Sequence, residues 1–294
     1  MAKDPTLAAL QAVAKAKRLD LSAVAQRYAL ERLFARVFTS RHADRFAAKG
    51  GALMFMAEGV EPLDGRSTSD ADLQLPAFEG TMAEFEAIMH EVLDAGGGDG
   101  VAFDLATWKV TAEREAGSIG GGSVTVTATV GGQKVRVKCD VAFDERSRVA
   151  DLIEIPMPSI LGGEPVRIRA VPFAHTAADK IQAMLRHGPR NHRLRDHYDL
   201  FVMLTHGHAR LDAVAAALPA SLAAFGIPLP DDADGIPALA DAHVAPRARA
   251  WEAERASRRF AVETPAWPEL NARLRELVGE VLERCHAARP GLAA

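Results

Sequence analysis

Cysteine is almost missing from this 294-residue chain, with Cys139 and Cys285 as its two examples. They lie far apart and lack metal-type spacing. That excludes a disulfide framework and a zinc site and leaves two reduced thiols. No run of about eighteen apolar residues occurs, so no membrane-spanning helix is expected. The N-terminus has no apolar stretch followed by a cleavage site. The expectation is a cytoplasmic protein without a membrane partner. A large net charge is also lacking: the formal value is −4, which excludes a general polyelectrolyte binder. There is no internal repeat. No phosphate loop of the usual kind exists either, because the glycine-rich stretch 117–122 reads as a turn with no helix after it.

What is present is a well-proportioned globular composition, 48% hydrophobic and 25% charged, enough for one large domain or two smaller ones. Charge is unevenly spread. Residues 1–50 carry ten Lys/Arg against four Asp/Glu, and Arg186 to Arg195 holds four arginines and no acid. Local basic surface on a mildly acidic chain points to a defined anionic ligand; solvated helix faces are the plainer alternative.

Periodicity divides the chain. The first 38 residues read as helix, with Asp20 or Ser22 capping a second helix whose Leu21, Val24, Ala25, Tyr28, Leu33, Phe34 and Val37 recur at helical spacing. An apolar helical run follows Lys49-Gly50-Gly51, over 52–57. Residues 70–75 read as a strand, 80–93 as a helix, and 101–143 as β structure. Within it, Val124–Val130 and Val135–Asp140 alternate on either side of Gly131-Gly132, a hairpin signal because both glycines accept φ > 0. A short strand is expected at 166–171. Helices are expected at 175–187, 194–206, 208–218, 237–260 and 267–288. The fold class is therefore α+β, a mixed sheet with flanking helices followed by a helical C-terminal half. The domains are placed at 1–172 and 173–294.

Chemistry is concentrated at Asp70-Ala71-Asp72. On a strand, i and i+2 share a face. Two carboxylates so placed repel unless a cation joins them, and Mg²⁺ is usually held by one or two carboxylates together with substrate phosphates. Lys49-Gly50-Gly51 offers backbone N–H groups to a phosphate at a helix start. Arg66-Ser67-Thr68-Ser69 leads into Asp70 with a guanidinium for phosphate and hydroxyls for the turn. Asp140 ends the hairpin strand. If that strand lies beside the one bearing Asp70 and Asp72, three carboxylates meet, as a two-metal site requires; a strand-end residue bonded to a loop is the alternative. His187, His192 and His197, with His206 and His208 beyond, invite a transition-metal reading, but the five-residue step from His192 to His197 is poor helical facing.

Five motifs then stand in order: Lys49-Gly50-Gly51, Arg66-x-Thr68-x-Asp70-x-Asp72-Leu73, Asp140-Val141, Asp179-Lys180-Ile181-x-Ala183 and Arg195-Asp196-x-Tyr198-Asp199-Leu200. Together, over residues 30–206, they resemble the AbiEii/AbiGii-type nucleotidyltransferases, relatives of the MenT toxins in the DNA polymerase β-like superfamily. The resemblance implies a nucleotidyltransferase-like fold and a transferase that moves NMP from NTP to a hydroxyl and releases pyrophosphate. It implies Mg²⁺ or Mn²⁺ at Asp70, Asp72 and Asp140. It also implies Lys180 on nucleotide phosphates, with Asp196 and Asp199 as the acidic pair of the last motif and Asp199 orienting the lysine; a plain interhelical salt bridge is the alternative. Lys49, Gly50, Gly51, Arg66, Thr68, Ser69, Arg186 and Asp196 complete the candidate nucleotide site. The acceptor implied is the 3′ end of a tRNA, and the role that of a toxin with a cognate antitoxin. A small-molecule nucleotidyltransferase and a non-catalytic nucleotide- or RNA-binding protein are the other classes compatible with the chain. The sequence departs from the family pattern at His175, at Asp179, and at Ala142-Phe143-Asp144 after the third carboxylate.

Overall fold

The computed structural model describes residues 4–56, 63, 68, 70–76, 80–96, 98–113, 120–144, 151–188, 194–256 and 264–288. Arg66, Ser69, Arg190, His192, Arg193 and the segments 117–119 and 257–260 lie outside the described residues. The chain divides into two units, Met1–Val171 and Pro172–Ala294.

In the first unit, Asp4 and Asp20 cap two helices, α1 (Pro5–Lys17) and α2 (Leu21–Thr39). The Asp20 carboxylate accepts from the amides of Ser22 at 2.8 Å and Ala23 at 3.3 Å, satisfying donors that the helix itself cannot. The α2 apolar set from Val24 to Val37 is buried, and so are Arg27, Glu31 and Arg36. The Arg36 guanidinium donates to the carbonyls of Leu93 at 2.8 Å and Val101 at 2.5 Å and pairs with Asp99 at 2.9 Å. It also lies 5.0 Å from the Phe103 ring. Two of the ten N-terminal cations, Arg27 and Arg36, are thus interior groups rather than basic surface.

The sheet contains β1 (Ala47–Ala48), β2 (Asp70–Pro76), β3 (Val101–Glu113), β4 (Gly120–Val130), β5 (Gln133–Asp144), β6 (Ile153–Met157) and β7 (Val166–Ala170). Their order is β3-β4-β5-β2-β1-β7-β6. It is a mixed sheet. β2 runs parallel to β5 and β1 parallel to β7, while the β3-β4, β4-β5, β1-β2 and β6-β7 pairs are antiparallel. The β4-β5 hairpin turns at Gly131 (φ 54°) and Gly132 (φ 88°), as the two-glycine signal requires. Helix α3 (Met82–Asp94) opens with a capping box between Thr81 and Glu84 and buries Phe85, Met89, Val92 and Leu93.

Three local expectations are corrected, and one strand stands where the sequence announces none. Residues 50–55 form a short 3₁₀ helix, not an α-helical run; Gly50 has φ +66°, which a regular helical start does not allow. Gly120–Gly122 belong to β4 rather than to a turn. At Gly121 a Cβ would stand 2.2 Å from the Val141 carbonyl oxygen, so the glycine lets β4 close onto β5. The stretch from 237 is two 3₁₀ turns, Pro237–Leu239 and Asp241–His243, before helix α7 (Val244–Ala256); Ala240 between them is extended at ψ 144°. Strand β6 has no clear sequence signal because Pro156 interrupts it, and such a strand is tolerated at the sheet edge that it occupies.

The second unit is helical: α4 (Phe173–His187), α5 (Leu194–Thr205), α6 (Leu211–Ala223), α7 and α8 (Trp267–Ala287). Tyr198, Trp251 and Trp267 pack ring to ring, with centroids 5.9 and 5.8 Å apart. Among the described residues no helix is long and apolar enough to cross a membrane.

Candidate active site

Strand β2 sits near the middle of the sheet, and its parity decides what it offers. Ala71, Leu73 and Leu75 are fully buried on one face, so Asp70 and Asp72 point to the other. Thr68 is buried and holds the strand entry, its hydroxyl donating to the Asp70 carbonyl at 3.2 Å. Three backbone features fix Asp72. The Lys49 amide donates to its carbonyl at 3.0 Å. The Gly51 amide donates to its carboxylate at 3.2 Å. A Cβ on Gly50 would fall 2.4 Å from Asp72 Oδ2. The Gly-Gly pair is therefore the seat of the Asp72 carboxylate. A side chain at residue 50 would displace it.

The pairing of β2 with β5 is in register: Asp70 faces Lys138, and Asp72 faces Asp140. Neighbouring strands lie about 4.8 Å apart, and residues in register share a face. Asp70, Asp72 and Asp140 accordingly occupy one patch, drawn from two separate stretches of sequence. The antiparallel β4-β5 pairing adds Ser123 opposite Asp140, and the Ser123 hydroxyl donates to Asp140 Oδ1. Lys138 completes the patch. Its ammonium bonds Asp140 Oδ2 at 2.7 Å and lies 3.8 Å from Asp70 Oδ2. Burial pulls the Lys138 pKa down, but the bond to Asp140 and the charges of Asp140, Asp70 and Asp72 outweigh it and hold it above the usual lysine value. Lys138 is thus a cation at neutral pH. Burial pushes the neighbouring Cys139 thiol up, reinforced by Asp72 and Asp140, which makes it a poor nucleophile.

Sequence reasoning misses Lys138 and Ser123, although a signal for each exists. Parity alone places Lys138 on the face of Asp140, two residues on. Ser123 follows from the two-glycine turn, since a hairpin that pairs Val130 with Gln133 pairs residue 123 with 140.

The donor set of this patch, three partly exposed carboxylates on adjacent strands, suits a hard divalent cation held through oxygen. A cation already sits against two of the three. Among the described residues, however, no three His, Cys, Asp or Glu side chains close into a ready-made metal-holding group; the carboxylates are arranged around an ammonium, a serine hydroxyl and a backbone amide.

The second unit carries the remaining candidates. Lys180 projects from α4, whose Phe173, Ala177, Ile181 and Met184 are buried. Its ammonium bonds Asp196 Oδ1 at 2.8 Å and Asp199 Oδ2 at 2.9 Å, both on α5. All three side chains are buried. Asp179 accepts from the Ser221 hydroxyl at 2.7 Å. The Arg186 guanidinium lies 4.6 Å from the centroid of the exposed Phe225 ring. Arg195 pairs with Glu254 at 3.3 Å. Among the described residues, His206 and His208 pack ring to ring with centroids 6.2 Å apart, and the others stand apart from them. His187 is exposed on α4, and His197 is fully buried 5.1 Å from the Trp267 ring.

The sequence profile of one family, described as nucleotidyl transferase AbiEii toxin, type IV TA system, matches residues 32–275. Among solved structures, the fold is similar to that of JHP933 from Helicobacter pylori, at 12% identity over 90% of this chain and 94% of that one, with a TM-score of 0.55. It is similar also to MenT4, nucleotidyltransferase toxin Rv2826c from Mycobacterium tuberculosis H37Rv, at 17% identity over 94% of this chain and 98% of that one, with a TM-score of 0.51. At such identities the likeness is one of fold. No curated protein matches the chain.

Proposed function

Because the chain belongs to the family of AbiEii nucleotidyl transferase toxins, we propose that it transfers a nucleoside monophosphate from an NTP to a hydroxyl, with Asp70, Asp72 and Asp140 as the metal ligands. One observation carries this reading: the in-register placement of Asp72 beside Asp140, with Asp70 on the same face. In the reaction the acceptor oxygen bonds to the α-phosphorus, the bond to the β-phosphate bridging oxygen breaks, pyrophosphate leaves and the hydroxyl proton is lost. Bound Mg²⁺ or Mn²⁺ supplies charge neutralisation for the triphosphate and makes the hydroxyl a better nucleophile. The chain's own residues supply position. The Gly50-Gly51 seat holds Asp72, Thr68 holds the entry to β2, and Ser123 orients Asp140. Catalysis of this kind is mostly positioning and electrostatic stabilisation.

Lys180 is assigned to the nucleotide phosphates, with Asp196 and Asp199 setting the direction of its ammonium. Lys49, Gly50, Gly51, Arg66, Thr68, Ser69 and Arg186 are assigned to nucleotide binding. The acceptor we favour is a tRNA 3′ end, approached through phosphate contacts from the basic N-terminal helices and the Arg186–Arg195 stretch, and the chain is then a toxin with a cognate antitoxin. The interior placement of Arg27 and Arg36 removes two charges from that RNA surface. It keeps a small-molecule acceptor as the second reading.

Incubation with each labelled NTP, Mg²⁺ and either total tRNA or a panel of hydroxylated small molecules separates the two. Label on tRNA is expected. Asp70→Asn, Asp72→Asn and Asp140→Asn each lower transfer about a hundredfold or more, since a metal's stabilisation of developing charge is worth several kcal/mol. Wild-type transfer rates in all three variants would move the active site elsewhere.

A further inference from the structure

Lys138 is a cation placed where a metal-binding patch would receive one. Its position follows from parity on β5 and from the register with β2, and both of its acidic contacts are to carboxylates assigned above as metal ligands. Both oxygens of Asp140 are engaged, Oδ1 by the Ser123 hydroxyl and Oδ2 by Lys138. The hydroxyl is neutral and can stay when a metal binds. The ammonium is disfavoured there, because two cations at contact distance on one carboxylate oxygen repel each other. Lys138 also has the means to leave: its side chain is 38% exposed and rides on a flexible four-carbon stem.

We propose that Lys138 is the resident counter-cation of the Asp70/Asp72/Asp140 face, and that the metal enters by displacing its ammonium from Asp140 and Asp70. This rests on the metal-ligand reading of the three aspartates. Without metal, Lys138 offsets the repulsion among three carboxylates on adjacent strands. With metal, it is released toward solvent or toward the negative charge of an incoming triphosphate. Lys138 thereby sets how readily the free enzyme takes up a divalent ion.

The test is Mn²⁺ binding to the full chain without nucleotide, followed by the electron paramagnetic resonance of free Mn²⁺. Lys138→Gln is expected to bind Mn²⁺ about tenfold more tightly than wild type, the effect of removing one unit charge at contact distance in a solvated site. Lys138→Arg, which keeps the charge, is expected to remain as weak as wild type. Lys134→Gln removes a charge from the same strand at an exposed position and is expected to change nothing. In thermal melts the metal-free Lys138→Gln chain melts below wild type and gains more from Mg²⁺. A Lys138→Gln chain that folds only with Mn²⁺ present supports the proposal equally. Unchanged or weaker Mn²⁺ binding by folded Lys138→Gln, while Asp140→Asn abolishes binding, overturns this inference and leaves the metal reading intact. Mn²⁺ binding by neither wild type nor Lys138→Gln overturns both.

Discussion

At the scale of single residues, the site is decided by what lies against each carboxylate. Gly50 is the sharpest case. Its φ is +66°, and a methyl carbon added there would stand 2.4 Å from Asp72 Oδ2, which leaves no room for a side chain. Gly50→Ala is expected to cost about 1–2 kcal/mol for the left-handed backbone alone and to lower nucleotide transfer further by moving Asp72. Denaturant unfolding and a transfer assay measure the two effects separately. Lys180 is the second case. Its charge is buried between Asp196 and Asp199, so Lys180→Ala strands two carboxylates in the interior. A loss of about 3–5 kcal/mol is expected, visible as a lower unfolding midpoint. Loss of activity in that variant would not by itself separate catalysis from folding, and the partly exposed aspartates of the sheet are the cleaner probes.

At the scale of elements, the turns and caps that build the site's surroundings are readable in the sequence and the long-range pairings are not. The Thr81–Glu84 box shows how local the readable part is. The Glu84 carboxylate accepts from the Thr81 amide at 2.6 Å, and the Thr81 hydroxyl accepts from the Glu84 amide at 3.3 Å. Thr81→Ala is expected to cost about 1 kcal/mol in equilibrium unfolding. The Thr81 amide, and then its hydroxyl, hold Glu84 below the usual carboxylate range. Its contribution is therefore present above the unfolded carboxyl's pKa and lost as pH falls through the folded one. Stability measured down that acid limb should fall less steeply in Glu84→Gln than in wild type. By contrast, β6 escapes because Pro156 hides its alternation, and the 3₁₀ form of 50–55 escapes because the apolar run Ala52-Leu53-Met54 fits either helix. The Gly-rich 120–122 segment reads as a turn on composition. Only the close approach of Val141 shows why a strand there needs glycine.

At the scale of the whole molecule, the family match spans both units, residues 32–275, and the proposed ligand-binding residues are divided between them. If the chain binds Mg²⁺ and NTP together, ligand at about a hundred times its dissociation constant adds about 2.7 kcal/mol of stability. The melting temperature is expected to rise with both ligands for wild type and not for Asp70→Asn. Differential scanning calorimetry with and without each ligand checks this. The two buried cysteines should leave the melt indifferent to reductant.

The sequence by itself determined most of the helices, the Gly131-Gly132 hairpin, the α+β class and the face on which Asp70 and Asp72 stand. All of these depend on backbone periodicity and turn chemistry within a dozen residues. It also held, through hairpin arithmetic, the meeting of Ser123 with Asp140. Only the tertiary structure decided that β2 pairs in parallel and in register with β5, because parallel neighbours are joined by no turn that could fix their offset. That one pairing sets Asp72 beside Asp140 and Lys138 beside Asp70. Only the tertiary structure, too, sent Arg27, Arg36 and Lys180 inward, since whether a long cationic side chain faces water or a buried acceptor depends on what other elements bring to it.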